Sequence, residues 1–100
     1  MRGITLLDNN KIGIGSLGTD NLEKAKILVS RALNIPLDKF ESRNSDYYGE
    51  YYKFENIKIY YCDDDNKKYR IYCDIGDYEQ ANKIILYYNS ILVKGKPKFE

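Results

Sequence analysis

The fold is decided by residues 47–75, which read YYGEYYKFENIKIYYCDDDNKKYRIYCDI and hold eight of the eleven tyrosines in the chain. Tyrosine and isoleucine that alternate with polar residues are typical of β-strands. Turn-forming residues divide the stretch at Glu55–Asn56 and again at Asp63–Asn66. The sequence therefore predicts three consecutive strands, which are Tyr47–Phe54, Ile57–Cys62 and Lys68–Ile75.

The alternation within these strands predicts a sheet with one aliphatic side and one side rich in tyrosine and lysine. A two-residue turn at Glu55–Asn56 would place Tyr51 opposite Tyr60. It would also place Lys53 opposite Lys58. Tyrosine and arginine are enriched in binding surfaces, although a water-exposed side built from a good strand former would have the same pattern. The candidate partner-binding residues are Tyr47, Tyr51, Lys53, Lys58, Tyr60, Lys68, Arg70 and Tyr72.

An amphipathic helix pattern lies on each side of this stretch. The first helix is predicted at Asp20–Leu33, with its first residue or Thr19 as the N-cap. Asn34 suits the left-handed position that ends a helix. The second helix is predicted at about Tyr78–Val93, with Asp77 as its N-cap. The side chains expected in the core include Leu22, Ala25, Ile27, Leu28, Val29, Ala32, Leu33, Leu37, Phe40, Ala81, Ile84, Ile85, Tyr88, Ile91 and Leu92.

The remaining segments complete the predicted architecture. Two short strands are predicted at Ile4–Leu7 and Lys11–Gly15. The polar segment Glu41–Asp46 is expected to be a mobile loop, and Lys94–Glu100 a frayed basic tail. The order β-β-α-β-β-β-α predicts an α+β fold, in which a mainly antiparallel sheet carries two helices packed on one face. A chain of 100 residues should form this fold as a single domain, residues 1–100.

Composition limits the classes of protein to consider. Hydrophobic residues make up 43% of the chain and charged residues 31%, which is typical of globular proteins. A net charge of +1 gives no overall attraction to polyanions. No apolar stretch is long enough for a membrane span or a signal peptide, so we expect a cytoplasmic protein without membrane contact. Lys, Ile, Tyr and Asn account for 44 residues, which suggests a low-GC bacterial or phage genome.

No motif in the sequence predicts catalysis. The pattern G-x-G-x-x-G at residues 13–18 is followed by an antiparallel meander instead of a βαβ unit, so we interpret it as a tight turn before a helix. Asp63–Asn66 lacks the glycine and the distal glutamate of a calcium loop. Cys62 and Cys73 have opposite strand parity, which disfavours a disulfide, and the absence of histidine excludes a Cys–His nucleophile. We therefore expect no catalytic residues, no bound metal and no cofactor.

The sequence-based hypothesis for function is a small intracellular protein-binding module. It would inhibit a partner protein by covering it with the tyrosine-rich side of the sheet. Inhibitors of the anti-defence or toxin-immunity type are the analogy, which rests on size and composition alone. The alternative is single-stranded nucleic-acid binding, in which the tyrosines stack on bases and the basic residues contact phosphates. An enzyme is the least favoured class, and the sequence is compatible with either a monomer or a homodimer.

Overall fold

A computed structural model describes residues 4–6, 11–14, 21–62 and 71–93 of the chain. These residues form six strands and two α-helices, which are β1 (Ile4–Leu6), β2 (Lys11–Ile14), α1 (Leu22–Leu33), β3 (Glu41–Ser45), β4 (Gly49–Phe54), β5 (Ile57–Tyr61), β6 (Ile71–Asp74) and α2 (Tyr78–Val93). The strands form one antiparallel sheet in the order β1-β2-β6-β5-β4-β3. The α+β prediction, with two helices on one face of the sheet, is confirmed.

The prediction of a mobile loop at Glu41–Asp46 is wrong, because Glu41–Ser45 is strand β3. β3 pairs along its length with β4, at the edge of the sheet. Nearly all of its side chains are exposed, so neither side of the strand needs apolar residues. Such a strand is held by backbone hydrogen bonds, which do not depend on the type of side chain. Its sequence therefore shows no alternation of apolar and polar residues.

The predicted register of the β4–β5 hairpin is confirmed residue by residue. Tyr51 lies opposite Tyr60, and Lys53 lies opposite Lys58. The two-residue turn between these strands contains Glu55 at a φ of 53°, in the left-handed region. β6 then pairs with both β5 and β2, so the sheet continues from this hairpin into the β1–β2 hairpin.

Polar side chains cap both helices. α1 begins later than predicted, because Asn21 is its N-cap and accepts hydrogen bonds from the backbone N–H groups of Glu23 (2.8 Å) and Lys24 (3.2 Å). The predicted cap at Thr19 or Asp20 is therefore wrong. Asn34 ends α1 in the left-handed conformation, as predicted, with a φ of 60°. Asp77 caps α2 through its Oδ1, which accepts from the Gln80 N–H at 2.8 Å.

The core lies between the sheet and the two helices. Its largest fully buried side chains are Ile12, Ile14, Leu28, Val29, Ile59, Ile71, Cys73, Ile84 and Tyr88. Phe40 is buried as predicted, but Leu37 is 44% exposed because it lies in a short 3₁₀ turn outside the core. Cys62 and Cys73 do not form a disulfide, and burial raises the pKa of the Cys73 thiol. Within the described residues, no helix is long and apolar enough to cross a membrane.

Candidate protein-binding face

Two rows of side chains run across the strands on the side of the sheet that faces away from the helices. In the aromatic row, Tyr51 lies opposite Tyr60, which lies opposite Tyr72. The neighbouring charged row consists, in order, of Glu41, Lys53, Lys58, Asp74 and Lys11. The two rows are adjacent because their members are two residues apart along each strand. We call this surface the tyrosine face, and its described members are Lys11, Glu41, Arg43, Tyr47, Tyr48, Tyr51, Lys53, Lys58, Tyr60, Tyr72 and Asp74.

Tyr48 covers the aromatic row, although strand alternation assigned it to the other side of the sheet. The chain turns at residues 46–48, where the Tyr48 N–H donates to Ser45 Oγ at 2.9 Å and Gly49 follows with a φ of 69°. Glycine tolerates this left-handed conformation, which a three-residue hairpin loop commonly uses. The Tyr48 ring centroid lies 4.7 Å from that of Tyr60 and 5.0 Å from that of Tyr51. The segment from Ser45 to Gly49 could have been recognised as a turn from its Ser, Asp and Gly.

Tyr60 is the centre of the cluster and only 9% of it is exposed. Its ring packs against Tyr48 and meets Tyr72 edge-to-face at 6.1 Å. Its hydroxyl donates to Asp74 Oδ1 at 3.0 Å, and burial together with this hydrogen bond raises the pKa of the phenol. The expectation of an open ring at this position is therefore corrected, because Tyr48 and the neighbouring strand cover it. The rings around Tyr60 are therefore more accessible than Tyr60 itself.

The lysines of the face are engaged with the rings and with the backbone. Lys58 Nζ lies 5.8 Å from the Tyr48 ring centroid. Lys11 Nζ lies 5.0 Å from the Tyr72 ring centroid and 3.9 Å from Asp74 Oδ1. Both contacts with aromatic rings are within the range of cation–π interactions. Lys11 was not identified from the sequence, because only the pairing of β2 with β6 brings it to this face.

Exposure differs across the remaining predicted residues. Tyr47 is 88% exposed at the turn between β3 and β4, and its ring meets Tyr48 edge-to-face at 4.9 Å. Tyr51, Lys53 and Tyr72 are half-buried, and Lys53 Nζ donates to the Glu55 carbonyl at 2.7 Å. The structure thus places Tyr47, Tyr51, Lys53, Lys58, Tyr60 and Tyr72 on one surface. Lys68 and Arg70 lie outside the described residues.

An ion pair marks the edge of the tyrosine face. Arg43 lies opposite Tyr51, at the end of the aromatic row. Its Nε donates to Glu41 Oε1 at 2.9 Å, and both side chains are exposed at the edge of the sheet. The carboxylate raises the pKa of the Arg43 guanidinium. Neither residue was identified from the sequence, because their segment has the polar composition of a loop.

The motifs considered for other chemistry are mostly outside the described residues. This holds for Gly15–Gly18 and for Asp63–Asn66, whereas Gly13 lies inside β2 and opposite Tyr72. No group of three or more acidic or cysteine side chains that could hold a metal ion occurs in the described part of the chain. The features that characterise the tyrosine face are therefore its packed aromatic rings and its charged side chains. No protein-family model matches the chain, and no curated protein or solved structure is significantly similar to it.

Proposed function

We propose that the chain is a small protein-binding module that uses the tyrosine face to bind a partner protein and block part of its surface. The observation that carries this proposal is the mutual packing of Tyr48, Tyr51, Tyr60 and Tyr72 beside the charged row. Tyrosine combines a large apolar ring with a hydrogen-bonding hydroxyl, which makes it a frequent anchor in protein interfaces.

The packing of the rings supports binding because it reduces the entropy lost on association. A side chain that is already held in one conformation has little rotamer freedom left to lose. Each packed aromatic pair contributes about 0.5–1.5 kcal/mol beyond area burial. The ring contacts Tyr48–Tyr60 and Tyr60–Tyr72 therefore keep the centre of the face rigid before a partner arrives.

The charges of the face favour a partner that presents carboxylates beside apolar side chains. The described basic members are Lys11, Arg43, Lys53 and Lys58, and the acidic ones are Glu41 and Asp74. Asp74 is already engaged by Tyr60 and Lys11, and Glu41 by Arg43. The remaining positive charge would steer an acidic surface towards the face and set its orientation.

The same packing makes single-stranded nucleic acid the less suitable ligand. Base stacking requires an accessible ring face on each tyrosine. Lys58 lies over Tyr48, Lys11 lies over Tyr72, and Tyr60 is almost fully covered. The packed rings are tilted by 48° to 88° to one another, so they do not offer a series of parallel platforms.

Affinity capture with matched variants would test the proposal. Wild-type protein, Tyr47→Ala and Tyr78→Ala would each be used as bait in a lysate of a low-GC bacterium, with quantitative mass spectrometry. Tyr47 is 88% exposed on the face, and Tyr78 is 58% exposed on α2, so neither change removes a core side chain. We expect a specific partner that Tyr78→Ala retains and that Tyr47→Ala binds about 10- to 30-fold more weakly.

A titration with a mixed-sequence single-stranded oligonucleotide distinguishes the two ligand classes. We expect no binding in the micromolar range at physiological salt. Micromolar binding that Tyr47→Ala abolishes would overturn the proposal and favour nucleic acid. Equal capture of every protein by the wild type and by Tyr47→Ala would show that the tyrosine face does not bind the partner.

A further inference from the structure

Strand β3 has a polar outer edge. It pairs with β4 on one side, and no other described strand lies on its other side. The side chains of Glu41, Ser42, Arg43 and Asn44 are exposed. The preceding residue Phe40 also has extended backbone angles, with a φ of −79° and a ψ of 127°. An edge with unpaired backbone N–H and C=O groups can accept a further strand, including the same strand of a second molecule.

The geometry of antiparallel pairing limits how two copies of β3 can align. Backbone groups point outward at every second residue, so facing residues must have the same parity. A two-fold axis must therefore pass through a residue and not between two residues. An axis at Glu41 would place the two Glu41 carboxylates opposite each other. An axis at Arg43 would place the two Arg43 guanidinium groups opposite each other, and like charges in such positions destabilise a sheet.

An axis at Ser42 gives complementary charges. Glu41 of each copy then faces Arg43 of the other copy. Within one copy, Arg43 Nε lies 2.9 Å from Glu41 Oε1. Each of the four charged side chains around the axis therefore has neighbours of opposite charge, both within its own copy and across the axis. This alignment also pairs Phe40 with Asn44, so the extended residues 40–44 of each copy all take part. An axis at Asn44 would leave Glu41 without a facing residue in the strand.

We propose that β3 is a self-association surface, where two copies of the chain pair antiparallel about a two-fold axis at Ser42. The sheet of one copy then continues into the sheet of the other. Facing residues of an antiparallel pair lie on the same side, so both tyrosine faces are on one side of the joined sheet. The dimer presents two equivalent faces to a partner. This inference depends on β3 alone and holds whether or not the tyrosine face binds protein.

Sedimentation equilibrium of three chains tests the alignment. The wild type is expected to dimerise weakly, with monomer at about 10 µM and dimer detectable at about 1 mM, because a single strand pair is a small interface. Glu41→Arg places an arginine opposite Arg43 of the other copy, and Arg43→Glu places a glutamate opposite Glu41 of the other copy. The dissociation constant of each single variant's dimer is expected to rise at least tenfold, because like charges then face each other.

Mixing the two variants provides the decisive comparison. In a heterodimer of Glu41→Arg with Arg43→Glu, the introduced arginine faces the introduced glutamate, and the native Arg43 faces the native Glu41. The mixture is therefore expected to dimerise within about threefold of the wild-type affinity, although each variant alone does not. Circular dichroism melts confirm that both variants are folded. A monomeric wild type at about 1 mM, variants that dimerise like the wild type, or a mixture that stays monomeric would each overturn the proposal.

Discussion

At the scale of single residues, a polar contact joins strand β4 to helix α1. The Tyr52 hydroxyl donates to Glu23 Oε1 at 2.7 Å. Lys26 Nζ lies 4.3 Å from the Tyr52 ring centroid and 3.2 Å from Glu23 Oε2. The hydrogen bond to Glu23 is the main cause that raises the pKa of Tyr52 to about 12, and the same hydrogen bond lowers the pKa of Glu23. The hydrogen bond between Tyr52 and Glu23 thus connects the sheet to a helix. It depends on pH in the acidic range through Glu23 and in the alkaline range through Tyr52.

Replacing Tyr52 with Phe is expected to lower the free energy of unfolding by about 0.5–1.5 kcal/mol at neutral pH, because it removes one partly exposed hydrogen bond. The pKa of Glu23 is lowered on folding, so its contribution is present above pH 4.5 and is lost as pH falls. The pKa of Tyr52 is raised on folding, so its contribution is present below pH 10 and is lost as pH rises towards 12. Urea titrations from acidic to alkaline pH would measure the difference in the free energy of unfolding between the wild type and Tyr52→Phe.

The control for this comparison is Tyr78→Phe, since Tyr78 lies exposed on α2. It should differ little from the wild type throughout the pH range. A difference between the wild type and Tyr52→Phe that stays constant from acid to alkali would contradict the role given to this hydrogen bond.

At the scale of elements, the turn between β4 and β5 holds a residue in an unfavourable conformation. Glu55 has a φ of 53°, which costs a residue with a Cβ about 1–2 kcal/mol. Hairpin turns of two residues usually place glycine or asparagine at such a position. The hairpin keeps this turn despite its cost, with Phe54 paired to Ile57 on either side of it.

Replacing Glu55 with Gly is expected to raise the free energy of unfolding by up to about 1 kcal/mol, since glycine adopts this φ without a steric penalty. The contact from Lys53 Nζ is to the backbone carbonyl and can persist. Glu50→Gly is the matched control, because Glu50 is exposed in β4 and does not have a positive φ. The control should lose about 0.5–1 kcal/mol. Denaturant midpoints would measure the stability of both variants. If both were less stable than the wild type, Glu55 would not be strained.

At the scale of the whole molecule, the two sides of the sheet contribute differently to stability. The helix side contains the aliphatic core, in which Val29 and Ile84 are fully buried. The tyrosine face has a small core of its own around Tyr60, surrounded by rings that remain partly exposed. We therefore expect the stability of the fold to depend on the helix side and on Tyr60, and much less on the outer tyrosines, which remain partly exposed.

Four alanine variants test this division. Ile84→Ala and Val29→Ala remove buried side chains, and we expect the former to lose about 2–5 kcal/mol and the latter somewhat less. Tyr60→Ala should also lose several kcal/mol, about 3–5 for a buried aromatic ring. Tyr47→Ala should change the free energy of unfolding by less than about 0.5 kcal/mol. Thermal and urea unfolding would measure these losses. A Tyr60→Ala variant as stable as Tyr47→Ala would show that the ring cluster contributes nothing to the fold.

Much of the candidate site could be predicted, because strand register depends on local turns and alternation. The two-residue turn between β4 and β5 is enough to predict that Tyr51 lies opposite Tyr60. Tyr48 was missed because it lies in the turn before β4, whereas simple alternation assumes a regular strand. Lys11 was missed for another reason. Its place beside Tyr72 and Asp74 depends on the pairing of strands that lie far apart in the sequence.

The sequence by itself determined the two helices, the central hairpin and the separation of apolar from tyrosine-rich sides. These features depend on interactions between residues close together in the chain. The periodicity of apolar residues and the positions of turn residues indicate such interactions. Only the tertiary structure decided the strand order, the extra edge strand β3 and the burial of Tyr60. Backbone hydrogen bonds between strands do not depend on side-chain identity, whether the strands are distant in sequence, as β2 and β6 are, or adjacent, as β3 and β4 are. The burial of a ring depends on which neighbours the fold places over it.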